Sequence, residues 1–296
     1  SPMFAIDIQH FSKKYHGKEV IRDLNLQVDE GEIFGFIGPN GAGKSTTIKA
    51  LLDFIKPTTG DLAIFSLDSQ KQAKTIRQFT SYVSSEVRFY PNFTTLELLK
   101  ITAQLHQVDQ PKKAINDLID LFDIAPNKKV SELSLGNRKK IALAASLLPN
   151  PRLLILDEPT NGLDPAIQHR LFNELKKRNA QGMTIFLSSH NLTEIQDYAD
   201  RAAFIREGEI ITVQTISKET SLGKLVKIDS KTLQTQDFPA SFKVLDHNNQ
   251  QWRLLYTGEN KELLQFLSQP TIQDFTVQTP TLEDQFLSLY EGGNLK

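Results

Sequence analysis

The sequence predicts an α/β protein with a mostly parallel sheet, followed by a smaller α+β segment. Over roughly the first 215 residues, short apolar runs alternate with helical patterns, which is typical of parallel strands joined by crossover helices. After about Thr215 the chain is richer in Gln and alternates like half-buried strands. We therefore expect one domain at residues 1–215 and a small accessory or dimerisation domain at 216–296.

The individual elements follow from hydrophobic periodicity and from the turn residues between apolar runs. In the larger domain the predicted strands are 33–37, 62–65, 79–83, 153–156, 184–187 and 202–205, and the predicted helices are 46–54, 95–106, 112–122, 139–148, 165–178 and 192–198. In the smaller domain the predicted strands are 224–229, 242–245, 252–256 and 275–277, and the predicted helices are 261–267 and 282–290. The run at 153–156 is apolar throughout, which indicates a strand buried on both faces.

Composition restricts the classes of partner that this protein can have. The 34 basic and 35 acidic residues leave a net charge of -1, which argues against the basic surface of a nucleic-acid-binding protein. The sequence has no cysteine, which excludes disulfides and thiolate metal sites. The longest apolar run, 141–148, is far shorter than the roughly 20 residues of a membrane helix. If this protein serves a membrane, we expect it to do so through a partner.

A phosphate-binding loop is the strongest signal in the chain. The segment GPNGAGKS at 38–45 fits the pattern G-x-x-x-x-G-K-[ST] and lies between a predicted strand and a predicted helix. Glycines let backbone N–H groups face a phosphate at a helix N-terminus. Lys44 can place its charge between the β- and γ-phosphates, and the Ser45 hydroxyl can bind Mg²⁺. The alternative is a simple glycine-rich turn. The residues predicted to bind nucleotide here are Gly38, Pro39, Asn40, Gly41, Ala42, Gly43, Lys44, Ser45 and Thr46.

Two adjacent carboxylates, Asp157 and Glu158, follow the apolar run at 153–156. Ligands of open α/β sheets bind at the carboxyl ends of the strands, so we expect both side chains to face the phosphate loop. Asp157 can hold Mg²⁺ through water, and Glu158 is suited to polarise an attacking water. Taken alone, the pair could also be an ordinary acidic turn at a strand end.

In their order and spacing, these motifs resemble the nucleotide-binding subunit of an ABC transporter over roughly residues 4–215. The resemblance implies a P-loop NTPase fold of the ABC type, with a helical subdomain at about 87–150. It further implies that Tyr15 stacks on adenine and that His190 contacts the γ-phosphate. The loop Asn161-Gly162-Leu163-Asp164 matches the one that couples two subunits, and Asp164 is counted among the nucleotide-binding residues. Tyr15 could instead be a half-buried surface residue, and His190 a structural histidine.

The segment Leu133-Ser134-Leu135-Gly136-Asn137 stands where the family signature usually reads LSGGQ. Ser134, Gly136 and Asn137 are predicted to reach ATP held by the opposite subunit. Ser134 can cap the following helix, Gly136 permits a close phosphate approach, and the positive end of the helix attracts anions. The segment could otherwise be a plain helix cap. The next residues, Arg138-Lys139-Lys140, are predicted to be a solvated face of this helix.

A second departure from the family lies in the loop after its third strand. The family usually has a glutamine there, which bridges Mg²⁺ and the membrane partner. This chain has Ser85, followed by Glu86. Serine is too short to make the same bridge, and the adjacent Glu86 could replace the glutamine. The metal contact is predicted for either Ser85 or Glu86, and the sequence leaves the choice open.

The C-terminal segment TPTLEDQFL at 279–287 resembles a tail found in bacterial drug- and peptide-exporting ABC ATPases. Leu282, Phe286 and Leu289 fall on one face of the predicted helix, which we expect to pack on its own domain or on a second subunit. The variants YVSSEV at 82–87 and LSLGN at 133–137 resemble those of exporters of antimicrobial or amphipathic peptides, including phenol-soluble modulins.

The resemblance implies a motor that hydrolyses ATP with Mg²⁺ and drives a separate integral-membrane permease, for export of drugs or peptides. Glu158 would activate water, His190 would hold the γ-phosphate and Lys44 would balance phosphate charge. Two ATPase subunits, identical or different, would sandwich two ATP molecules at the cytoplasmic face of the membrane. Two other classes stay open: a non-transport ABC ATPase acting on ribosomes or DNA, and a regulatory module that holds ATP without turnover.

Overall fold

The computed structural model describes residues 3–88, 92–216 and 223–280, together with Asp284 and Ser288. The chain forms two compact units, Ser1–Ile216 and Ser217–Lys296. The strands of the first unit are β1 (Phe4–Tyr15), β2 (Lys18–Asp29), β3 (Ile33–Ile37), β4 (Thr59–Ile64), β5 (Leu67–Asp68), β6 (Thr80–Val83), β7 (Leu153–Asp157), β8 (Thr184–Ser189), β9 (Arg201–Arg206) and β10 (Glu209–Thr215). Its helices are α1 (Lys44–Leu51), α2 (Ala73–Phe79), α3 (Thr95–Leu105), α4 (Pro111–Phe122), α5 (Leu135–Leu147), α6 (Pro165–Ala180) and α7 (Leu192–Tyr198).

A six-stranded sheet in the order β10-β9-β3-β8-β7-β6 forms the centre of the first unit. Neighbours from β9 to β6 run parallel, and only the edge strand β10 is antiparallel within this sheet. Every residue of β3, β7 and β8 is buried, as expected for parallel strands covered on both faces. The register pairs Ile37 with Ser189 and Asp157 with Ser188. The carboxyl ends of these three strands therefore meet at one edge of the sheet.

A second sheet in the first unit, in the order β2-β1-β4-β5, is antiparallel. The sequence patterns predict neither β1 nor β2. Both strands alternate buried apolar residues such as Ile21 and Leu24 with exposed polar ones. Bulges interrupt their pairing at several positions, so a strict two-residue period is lost. Gly17, with φ of 78°, forms the turn between them.

The helices α3, α4 and α5 pack against one another within the range predicted for a helical subdomain. A capping box of Thr94 and Glu97 begins α3, and the Ser134 side chain caps α5. The helix α5 therefore begins four residues earlier than the predicted range. The prediction of a solvated basic face is wrong for Lys139, which is only 2% exposed. It packs inward because its ammonium group donates to the carbonyl oxygens of Ser84 and Ser85, directly after β6.

The second unit is a four-stranded antiparallel sheet with one described helix. Its elements are β11 (Lys224–Asp229), β12 (Phe242–Asn248), β13 (Gln251–Tyr256), α8 (Asn260–Leu267) and β14 (Asp274–Gln278), with the strand order β12-β13-β11-β14. Aromatic side chains fill its core, where Phe242 packs against Tyr256 and Phe266. Within the tail helix predicted at 282–290, Asp284 and Ser288 are described, whereas the apolar residues Leu282, Phe286 and Leu289 lie outside the described residues.

No helix within the described ranges combines the length and the apolar character that crossing a membrane requires.

Candidate functional site

The loop between β3 and α1 has the backbone geometry of an anion-binding nest. Gly41 and Gly43 adopt left-handed conformations, with φ of 82° and 111°. Such turns point consecutive N–H groups toward one side. Space also requires glycine, because a Cβ on Gly38 would lie 2.4 Å from the carbonyl oxygen of Ile205. The loop leads directly into the N-terminus of α1, whose partial positive charge attracts anions.

Lys44 is the first residue of α1, and its ammonium group is buried against the edge of the central sheet. Nζ donates to Oε1 of Glu158 at 2.7 Å and to the carbonyl oxygen of Gly38. It also lies 3.4 Å from the carbonyl oxygen of Ser189. The cation is therefore held between the nest and the ends of β7 and β8.

Asp157 ends β7 and is only 1% exposed. Its two oxygens accept hydrogen bonds from two hydroxyls, Ser45 Oγ at 2.7 Å and Ser188 Oγ. A serine hydroxyl beside a carboxylate supplies the hard oxygen ligands that Mg²⁺ prefers. Among the described residues, no group of three or more His, Cys, Asp or Glu side chains could hold a metal. Mg²⁺ is usually bound by one or two carboxylates and by substrate phosphates.

Glu158 connects the lysine to a histidine. While Oε1 accepts from Lys44, Oε2 lies 2.7 Å from Nδ1 of His190, which follows β8. The backbone of Glu158 has φ of 50°, an uncommon conformation for a residue with a side chain. Its N–H donates to Ser188 Oγ at 3.1 Å. Unfavourable backbone conformations of this kind concentrate at functional sites.

Glu194 is a buried carboxyl beside this cluster that the sequence analysis does not identify. Ser189 Oγ donates to its Oε2 at 3.2 Å. Burial raises the pKa of Glu194, hydrogen bonds from Thr160 and Ser189 oppose the rise, and the charge of Glu158 adds to it. The available signal was its position in the first turn of α7, four residues after His190. Charged residues of a short helix are ordinarily exposed, so this position alone does not reveal burial.

The signature segment and the 161–164 loop contact each other. Ser134 Oγ accepts from the N–H of Asn137 at 3.2 Å and so caps α5. A Cβ on Gly136 would lie 2.5 Å from the carbonyl oxygen of Gly162. Asp164 caps α6 by accepting from Ile167 N–H at 3.0 Å. These residues form a second group, and Asn161 of the loop joins it to the carboxylate cluster by donating its N–H to the carbonyl oxygen of Glu158 at 3.3 Å.

Three other predicted site residues, Tyr15, Ser85 and Glu86, make no described side-chain hydrogen bond to the carboxylate cluster. Tyr15 is exposed at the end of β1, where Lys13 Nζ lies 4.9 Å from its ring centroid. The Glu86 side chain is 80% exposed and lies 3.7 Å from Arg88. Ser85 is half-buried, and its carbonyl oxygen accepts a hydrogen bond from Lys139 at 3.4 Å.

One family model and several known proteins resemble this chain in sequence. The ABC transporter family model matches residues 21–161. The bacitracin transport ATP-binding protein BcrA of Bacillus licheniformis is 33% identical, over 96% of this chain and 96% of that protein. The chain belongs to the ABC transporter ATP-binding protein family. This ABC ATPase is also 34% identical to the Nod factor export ATP-binding protein I of Neorhizobium galegae, over 71% of this chain and 62% of that protein.

Solved structures agree with the family assignment. An ATP-binding subunit of an ABC transporter matches with a TM-score of 0.68 and 28% identity, over 72% of this chain and 91% of that one. An ATP-binding cassette solved as a dimer with ADP and Pi has the same fold, with a TM-score of 0.66 and 23% identity. The predicted fold class, ATP binding and ATP hydrolysis are thereby confirmed. The protein is the ATP-hydrolysing subunit of an ABC transporter.

Proposed function

We propose that this ABC ATPase drives a separate membrane permease that exports drugs or amphipathic peptides, with Glu158 as the catalytic base. The observation that carries the proposal is the hydrogen-bonded chain Lys44–Glu158–His190, in which Lys44 and Glu158 are buried and both hydrogen-bonded distances are 2.7 Å. It stands at the carboxyl edge of a parallel sheet, next to a glycine nest. That combination of groups suits phosphoryl transfer from a nucleoside triphosphate to water.

In this proposal the nest residues 38–43 hold the phosphates through backbone N–H groups, and Lys44, Ser45 and Thr46 complete the cradle from α1. Tyr15 stacks on the adenine. Ser45 and Asp157 hold Mg²⁺, which neutralises phosphate charge when bound. We limit the proposed metal contacts to these two residues, because Glu86 is exposed and Ser85 engages α5 through its main chain.

Hydrolysis then depends on how Glu158 is oriented. Its carboxylate accepts a proton from the attacking water while the water oxygen forms a bond to the γ-phosphorus and the bond to the ADP oxygen breaks. His190 and Lys44 fix the two carboxylate oxygens and lie where they can turn to the γ-phosphate. Catalysis of this kind is mainly positioning and electrostatic stabilisation.

A second ATPase subunit, identical or different, completes each site in the proposal. Ser134 and Asn137 are exposed at the positive end of α5. They can therefore meet a phosphate held by another subunit. The close packing of Gly136 on Gly162 keeps Ser134 and Asn137 in position for this contact. Asp164 holds the adjoining loop by capping α6.

The permease partner is proposed to bind beside the loop that follows β6. A cavity of about 780 Å³ lies there, lined in part by Lys49, Arg77, Ser84 and Arg88. The proposed location at the cytoplasmic face of the membrane follows from this partner. Export of drugs or peptides is proposed from the bacitracin and Nod factor transport proteins named above, which are relatives of this chain.

Affinity purification of the full chain from its own cells tests the proposal. We expect an integral-membrane protein to co-purify and the complex to hydrolyse ATP, with activity lost when EDTA removes Mg²⁺. Recovery of ribosomes or DNA instead would favour a non-transport ABC ATPase. ATP binding without turnover in the complex would favour a regulatory switch. Either result contradicts the proposed function.

A further inference from the structure

Lys139 is a buried cation that the proposed mechanism does not use. It lies five residues after the Ser134 cap of α5, and its side chain is only 2% exposed. Taking an ammonium group out of water costs several kcal/mol unless other groups compensate it. An apolar side chain of similar length would fill the same volume without that cost. The position of the charge therefore needs an explanation in what it contacts.

The ammonium group of Lys139 holds the main chain directly after β6. Nζ donates to the carbonyl oxygen of Ser84 at 3.3 Å and to that of Ser85 at 3.4 Å. A charged donor strengthens bonds of this kind relative to neutral ones. A single side chain thus ties the signature helix to two consecutive carbonyls of a loop.

That loop begins beside the proposed catalytic carboxylates. The strands β6 and β7 are parallel neighbours, with Val83 opposite Leu156. Ser84 therefore follows Val83 at the same edge at which Asp157 follows Leu156. Burial lowers the pKa of Lys139, and the charges of Asp157 and Glu158 oppose this shift. The carboxylates are thus close enough to stabilise the ammonium form.

We propose that Lys139 is a positioning residue of the ATPase, which links the orientation of the signature helix α5 to the sheet edge that carries Asp157 and Glu158. The inference rests on the proposed function of that edge. The two carbonyl bonds keep the 84–86 loop against α5, so movement of α5 toward a second subunit moves the loop with it. Ser85 takes part through its backbone carbonyl. This explains how a short side chain can occupy the position at which the family usually has glutamine.

The test compares Lys139→Met with Lys140→Met in the full-length protein. Methionine keeps the length and packing of lysine but removes the charge and the donors. Hydrogen exchange is measured for the peptide covering 80–88, and kcat and KM for ATP are measured in parallel. For Lys139→Met we expect exchange at 85–88 to become at least about tenfold faster, because charged hydrogen bonds are lost. We expect kcat to fall at least about tenfold, with KM within about threefold, since nucleotide contacts stay in place.

Lys140→Met should leave the exchange rate and kcat unchanged, and Lys139→Arg, which keeps the charge and donors, should restore most of kcat. A change in kcat without faster exchange at 85–88, or faster exchange with normal kcat, overturns the proposal. If Lys139→Met speeds exchange throughout the protein, the measurements are repeated with Lys139→Gln. A uniform increase in exchange in Lys139→Gln also overturns the proposal. Wild-type protein without ATPase activity would refute the proposed function instead, while the exchange data would still test the link.

Discussion

Lys44 and Glu158 form a buried ion pair, with Nζ 2.7 Å from Oε1, although 114 residues separate them in the sequence. The second oxygen of the same carboxylate lies 2.7 Å from Nδ1 of His190. Removing one partner of a buried charge pair leaves the other uncompensated. In the proposed mechanism Lys44 holds the phosphates and Glu158 activates water. Substitutions of the two residues should therefore separate nucleotide binding from turnover.

Glu158→Gln should bind ATP but hydrolyse it poorly. The amide keeps the shape of the side chain but cannot accept the proton of water, so we expect kcat to fall by at least about 100-fold. Steady-state phosphate release measures the loss, and light scattering after gel filtration should detect an ATP-bound dimer. Glu86→Gln, which changes an exposed carboxylate, is the control and should keep normal kcat. Normal turnover by Glu158→Gln would remove Glu158 from the catalytic role.

Lys44→Ala should weaken Mg-ATP binding. The substitution removes a buried cation from the phosphate cradle, so we expect a loss of about 2 kcal/mol or more, or at least about 30-fold in Kd. Nucleotide titration by calorimetry measures it. Lys49→Ala, five residues along α1 and exposed, should bind normally. Equal affinities for the two variants would contradict the assignment of the nest as the phosphate site.

Gly136→Ala should destabilise the protein. Alanine favours a helix over glycine by roughly 0.5–1 kcal/mol, but its Cβ would meet the Gly162 carbonyl oxygen at 2.5 Å. Main-chain atoms cannot move aside cheaply, so we expect a net loss of about 1–3 kcal/mol in the free energy of unfolding. Urea denaturation measures it, with Asn137→Ala as an exposed neighbouring control. A gain in stability would mean that the start of α5 and the 161–164 loop can move apart without cost.

Glu194→Gln should stabilise the protein most at neutral and alkaline pH. Because the pKa of Glu194 is raised above its ordinary value of 4.5, its contribution to stability is complete below that value and is lost as pH rises through the raised pKa. Glutamine does not ionise. The stability difference, variant minus wild type, should therefore grow from about pH 4.5 upward and then level off. Denaturation at a series of pH values tests this against exposed Glu209→Gln, and a constant difference contradicts it.

Truncation after Ile216 should leave ATP affinity unchanged but reduce the nucleotide-free dimer. Every residue proposed to contact phosphate or Mg²⁺ lies before position 191, and the chain divides into compact units at this point. Calorimetry measures affinity, and light scattering measures the dimer population. Lost affinity in a folded truncation would place the second unit in the nucleotide site. An unchanged dimer population would remove its role in assembly.

The sequence predicts best those elements that flanking turn residues delimit at both ends. The bounds of β3 and α7 agree with the predicted ranges, because apolar runs and flanking turn residues mark both ends. By contrast, β1 and β2 carry polar residues on an exposed face and bulges in their pairing, so no regular period identifies them. Local patterns thus fail where a strand is only half covered.

In the candidate site, too, local patterns identify some residues and miss others. Motif spacing identifies Lys44, Asp157 and Glu158 because consecutive residues carry the chemistry. Lys139 and Glu194 belong to helices in which a charged residue is normally solvated. Their burial arises from the packing of α5 and α7 against the ends of distant strands, and no local pattern encodes it.

The order of strands in the central sheet has a consequence for synthesis on the ribosome. The neighbours of β3 are β8 and β9, and β8 lies between β3 and β7. Until residues 184–189 have been made, the nascent chain has no strand that can join β3 to β7. The apolar strand β3 therefore stays without its neighbouring strands until roughly 150 further residues have been translated. At typical rates this takes on the order of ten seconds. Chaperones that shield apolar segments have their main opportunity in that interval, and premature arrest before β8 should yield an aggregation-prone fragment.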